Sequence, residues 1–68
     1  METSIRNHLK GKITQITEGA AVSELELETA IGTISSVITT RSMDEMGLAV
    51  GQEVCAVIKS TEVGIERC

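Results

Sequence analysis

None of the 68 residues is Phe, Tyr or Trp, and that gap limits the chain to folds whose core is built from aliphatic side chains and methionine. Aromatic rings bury the most area per residue. A chain this short buries only about 60% of the surface its unfolded form exposes. No disulfide framework or metal-ligand cluster replaces the missing area. Cys55 sits inside the apolar run VCAVIK and Cys68 is the last residue, and neither belongs to a CxxC or to a His/Cys spacing suited to a metal. Oligomerisation is the remaining route to burial. With 41% hydrophobic residues, part of the apolar surface is expected to face other copies, so a homo-oligomer is predicted.

The two isolated thiols fit a reducing compartment. The opening METSIRNHLK has no apolar h-region, and no window approaches about 18 apolar residues, so neither a signal peptide nor a membrane span is expected. The cytoplasm is the expected location, with no membrane partner. Ten acidic residues against six basic ones give a net charge of −4. That balance lacks the basic face that nucleic-acid binding uses. Yet Arg6, Lys10 and Lys12, half of the basic residues, crowd into TSIRNHLKGKI. An anion bound by this chain is therefore bound locally.

The chain reads as one continuous unit over residues 1–68, without proline, linker or low-complexity tract. GKITQIT (11–17) is β-branched but alternates imperfectly, whereas SELELE (23–28) sets Leu25 and Leu27 against Glu24, Glu26 and Glu28. The latter predicts a half-buried strand with a solvated acidic face. Turns at Gly19 and Gly32 lead to a third strand, TISSVIT, in which Ile34, Ser36 and Ile38 share one face. The period then changes. SMDEMG places Ser42 three residues before Glu45, a capping-box pattern, with Met43 and Met46 on one packing face and Gly47 at the helix end. VCAVIK (54–59) predicts a fully apolar fourth strand with Cys55 in the core, and TEVGI (61–65) a short fifth.

Three strands, one short helix and two strands is the order of a mainly β, five-stranded OB-like barrel with the helix between strands 3 and 4. An SH3-like barrel is the alternative. Stacking platforms for single-stranded nucleic acid need aromatic side chains and a basic groove, and this chain has neither. Function rests on the site rather than the fold.

Hydroxyl and cationic residues gather at element ends: Thr3, Ser4 and Arg6; Thr39, Thr40 and Ser42; Lys59, Ser60 and Thr61. Unpaired amides at a helix start favour an anion. A Ser42 hydroxyl accepting from the helix backbone keeps its own proton free to donate. Such a donor-rich, carboxylate-poor set suits a tetrahedral oxyanion. Caps and turns use the same residue types. With one His, no nucleophile–base pair and no Gly-rich phosphate loop, an enzyme is not expected. His8 lacks an acidic or Cys partner and reads as a surface residue; Cys68 reads as an exposed tail thiol.

SIRNHLKGKI, VITTRSMDEMGL and VCAVIKSTEVGI resemble the three blocks of the Mop, or TOBE, domain of molbindins, typically SxRNxLKGxV, IxxxSxxxLGL and VxAxIKxxxV. GLAVGQEV is similar to that family's GLxxGxxV turn. The order and spacing hold over nearly the whole chain. Met46 replaces the usual Leu, a volume-conserving swap. ETAIGTI is one residue shorter than the usual hairpin, and GIERC is more polar than the usual ending. The resemblance implies a small cytoplasmic OB-like protein that assembles into hexamers and binds molybdate or tungstate between subunits. It implicates Ser4, Arg6, Asn7, Thr39, Ser42, Lys59 and Ser60, with Arg6 and Lys59 as charge-assisted donors and Asn7 as a positioning residue. It also implies a second class of anion site near a threefold axis, which no residue here specifies.

The expected function is molybdate storage or homeostasis by non-covalent binding. A TOBE-type regulatory or interaction module without a storage role is the alternative. A nucleic-acid-binding OB domain is the third reading, disfavoured by composition. Lys10 is expected at a subunit contact and Lys12 on a solvated strand face.

Overall fold

A computed structural model describes residues 2–68. Four antiparallel strands form one sheet: β1 (Asn7–Glu18), β2 (Val22–Thr29), β3 (Gly32–Thr39) and β4 (Glu53–Ile58). The order is β3-β2-β1-β4, so β1 is paired on both sides while β3 and β4 are edges. A short helix, α1 (Thr40–Met46), links β3 to β4. The protein is mainly β with one helix between the third and fourth strands.

The imperfect alternation of GKITQIT has a cause in the ladder. Ile13 opposes Leu27 and Gln15 opposes Glu26, so Thr14 is an extra residue on β1 and marks a β-bulge. The bulge reverses which residues face inward: Gly11 and Ile13 are buried before it, and Ile16 is half-buried after it. The β4 side holds the bulge through Ile13 N–H donating to Gln52 O (3.0 Å) and Gly51 N–H donating to Ile13 O (2.8 Å). Gly11 is required by close approach, since a Cβ there would lie 2.9 Å from the Glu28 carbonyl oxygen.

Leu25 and Leu27 turn inward from β2, meet Ile13 from β1, and are capped by Met43 of α1; all four are at most 4% exposed. This is a small core, as an aromatic-free chain requires. Beside it lies an open apolar trough of about 290 Å³ whose lining includes Leu27, Ile38, Met46, Leu48 and Val54. Large apolar side chains remain exposed, among them Val37, Met46, Val57 and Ile65.

Four expectations are corrected. The fifth strand is not formed: Ser60–Glu62 is a 3-10 turn and residues 63–68 have no regular structure. Glu62 N–H donates to Lys59 O at 2.9 Å and Val63 N–H to Ser60 O at 3.3 Å, which turns the backbone out of the strand direction. Cys55 is exposed rather than core, because β4 turns Val54, Ala56 and Ile58 inward and Glu53, Cys55 and Val57 outward. Met46 is 67% exposed and only Met43 packs. The helix cap is Thr39, not Ser42; its side chain accepts from Ser42 N–H, and Glu45 instead pairs with Arg41 at 3.0 Å on the helix surface. The expected Gly47 ending holds, with φ 63° and a left-handed cap.

Candidate functional site

The sequence-predicted residues fall into two groups. Asn7 opposes Ile58 in the last pair of the β1–β4 ladder, so Arg6 and Lys59 are the next residues on the two strands, with Ser4 and Ser60 beyond them. The Asn7 side-chain amide donates to Ile58 O at 3.0 Å and ties the two strand ends together. Asn7 is half-buried, whereas Ser4, Arg6, Lys59 and Ser60 are exposed. Arg41–Glu45 is the only ion pair among the described residues, so Arg6 and Lys59 carry their charge without a carboxylate partner.

Thr39 and Ser42 form the second group, at the junction of β3 and α1. Thr39 Oγ1 accepts from Ser42 N–H at 3.1 Å and donates to Ser42 Oγ at 2.8 Å. The Thr39 proton is thus committed, while the Ser42 proton has no acceptor among the described residues. Thr40, which sequence reasoning placed only in a cluster, anchors this corner. Its hydroxyl donates to Gly19 O at 2.6 Å, and its oxygen lies 2.7 Å from Oγ of buried Ser23. With its one proton given to Gly19, Thr40 accepts from Ser23, which in turn accepts from Gly19 N–H at 3.4 Å. That closed circuit fixes the position of Thr39 and Ser42.

Within one chain the two groups are far apart. Thr39 opposes Val22, and its neighbour Ser23 opposes Glu18 at the far end of β1 from Asn7. Twelve strand residues at about 3.3 Å each put roughly 35 Å of strand between them. No oxyanion bridges that span. The fold therefore places two groups of candidate residues, one cationic and one made of hydroxyls, at opposite ends of the sheet.

His8, read from the sequence as a surface residue, is exposed. It lines a shallow pocket of about 400 Å³ with Arg6, Asn7 and Ile58.

Comparison with known proteins agrees with the motif reading. Residues 3–65 match the TOBE domain family model. Molybdenum-pterin-binding protein 1 of Clostridium pasteurianum is 46% identical over 66 residues, covering 96% of this chain and 97% of that protein. The solved structure of MopII from Clostridium pasteurianum, in an apo form, superposes with a TM-score of 0.90 at 42% identity, covering 97% of this chain and 100% of that one. The cytoplasmic molybdate-binding protein ModG, solved with molybdate bound, gives a TM-score of 0.82 at 36% identity, covering 88% of this chain and 43% of that one. On its sequence blocks, its four-stranded sheet with one linking helix, and these matches, the chain belongs to the TOBE-domain family.

Proposed function

We propose that this protein is a cytoplasmic carrier or store of molybdate, held non-covalently in sites that form between copies. Tungstate, nearly isosteric with molybdate, is expected to bind as well. The observation that carries the reading is the separation of the two half-sites: a second copy is needed to bring Arg6, Lys59 and Ser60 of one chain to Thr39 and Ser42 of another. Likeness to a molybdate-bound protein over most of the chain supports the choice of anion. The open β3 and β4 edges and the exposed apolar side chains support a homo-oligomer, for which the family resemblance implies a hexamer. An OB-like barrel completed by a neighbouring copy fits those edges.

On this reading Arg6 and Lys59 supply charge, the Ser42 and Ser60 hydroxyls supply neutral donors, and Ser4 adds a further hydroxyl. Thr39 and Asn7 are positioning residues: the first aims the Ser42 hydroxyl, and the second locks the strand ends that carry Arg6 and Lys59. The protein acts by binding rather than by catalysis. A pocket made only of donors leaves the proton of a protonated phosphate without an acceptor, and a buried unpaired donor costs about 1–3 kcal/mol. Phosphate is therefore rejected, and sulfate must be excluded by size.

Calorimetric titration of the purified protein with molybdate, beside sulfate and phosphate, tests the reading. Saturable molybdate binding with no heat from the controls supports it. Absence of molybdate binding at near-physiological salt overturns it and leaves a TOBE-type interaction module.

A further inference from the structure

We propose that molybdate also governs assembly: the dianion is the counter-charge on which closure of the head-to-tail contact between copies depends, so that binding drives association. The inference rests on the molybdate-binding reading and adds to it a reciprocal effect of the anion on the protein.

Arg6 and Lys59 each stand one residue beyond the last pair of the β1–β4 ladder, Asn7 with Ile58. Lys59 continues in extended conformation (φ −66°, ψ 142°). Chain geometry therefore keeps their Cα atoms within about 13 Å of each other. Two like charges so placed at a strand end repel each other. Neither cation has a carboxylate partner among the described residues, although Glu62 lies only three residues from Lys59. Both are exposed in the single chain, where water and salt screen the repulsion.

The other end of the sheet brings no counter-charge. Thr39 and Ser42 offer hydroxyls, and the first turn of α1 holds no acidic residue. Of the carboxylates nearby, Glu45 is taken by Arg41. Asp44 is two residues from Ser42 and does not share its face of the helix. Glu18 lies on β1, two strands from β3. A second copy that lays these hydroxyls over Arg6 and Lys59 strips water from two cations and returns only neutral groups, which is unfavourable. A bound dianion cancels both charges and accepts from the hydroxyls, so it binds the closed contact rather than the separated chains. Reciprocity then requires the anion to strengthen the contact by the factor by which the contact strengthens anion binding.

The test is sedimentation equilibrium of the wild-type protein and the Arg6→Ala/Lys59→Ala variant over a wide range of dilution, without added anion, with molybdate, and with sulfate at matched ionic strength. With one site per contact and molybdate at about 100 times its dissociation constant, the wild-type association constant is expected to rise about 100-fold, and sulfate to leave it unchanged. The variant is expected to associate no more weakly than the anion-free wild type and to ignore molybdate. Exchange between isotope-labelled and unlabelled copies, followed by native mass spectrometry, reads the same effect where the assembly is too tight to dissociate: molybdate should slow wild-type exchange by a similar factor. Molybdate that binds in calorimetry yet changes neither association nor exchange overturns the control of assembly and leaves the site standing. A shift that sulfate reproduces, or a variant that associates more weakly than the anion-free wild type, overturns it as well. Absence of molybdate binding in calorimetry overturns both readings.

Discussion

The two ends of the sheet are built on opposite principles. At the Asn7–Ile58 end, Arg6 and Lys59 are exposed, unpaired cations on backbone that one side-chain amide holds in place. At the Thr39–Ser42 end no cation takes part in the hydrogen bonds; two hydroxyl pairs, Ser23 with Thr40 and Thr39 with Ser42, are each tied also to the backbone. On the proposed reading, the first end supplies attraction at little cost to stability, because its charged tips remain in water. On the same reading, the second supplies direction, because the uncommitted proton of Ser42 is aimed by Thr39, which also caps the helix. Substitutions at the two ends are therefore expected to separate affinity from stability.

The largest effect is predicted for the double variant Arg6→Ala/Lys59→Ala. Charge-assisted hydrogen bonds contribute about 1.5–3 kcal/mol each, so molybdate affinity should fall about 100-fold or more in a titration while the melting temperature stays put. Loss of less than about tenfold would remove the cations from the site. Ser42→Ala comes next, with affinity down about tenfold for one donor to an anion and stability little changed. Thr39→Ala reverses that pattern: loss of the cap should cost about 1 kcal/mol in denaturant unfolding, with a smaller, second-hand loss of affinity that Thr39→Ser restores. Equal affinity losses for Thr39→Ala and Ser42→Ala would contradict the division into positioning and donating roles. The smallest effect is expected for Arg41→Ala, which breaks an exposed helix ion pair at the same end. It should cost no more than about 0.3–0.5 kcal/mol and leave binding unchanged.

Most of the sheet was legible because its strands obey a two-residue period. SELELE announced both its buried leucines and its acidic face, and TISSVIT its half-buried Ile34, Ser36 and Ile38. Where the period breaks, the sequence carried the fact but not its meaning: the irregularity of GKITQIT is the bulge at Thr14. VCAVIK misled because an unbroken apolar run hides which residues point outward, so Cys55 was read as core. TEVGI has strand composition, but the backbone turns at Lys59 and Ser60 before it can pair. At the helix start, Ser42 with Glu45 fits the capping pattern as well as Thr39 does. The choice falls to Thr39 because it ends β3 in an extended conformation with its hydroxyl within reach of Ser42 N–H. The candidate site residues were proposed from motifs, yet no motif reveals that they lie at opposite ends of one sheet; strand pairing alone does that.

The central claim is that one chain carries two half-sites and that neither binds without the other from a second copy. It is tested most directly by mixing two binding-deficient proteins, Arg6→Ala/Lys59→Ala and Thr39→Ala/Ser42→Ala, refolding them together, and titrating the mixture with molybdate. Random pairing across a head-to-tail interface predicts that about a quarter of the sites regain both intact halves and bind with wild-type affinity. A mixture as inert as its two components would contradict the account and place the whole site within a single chain.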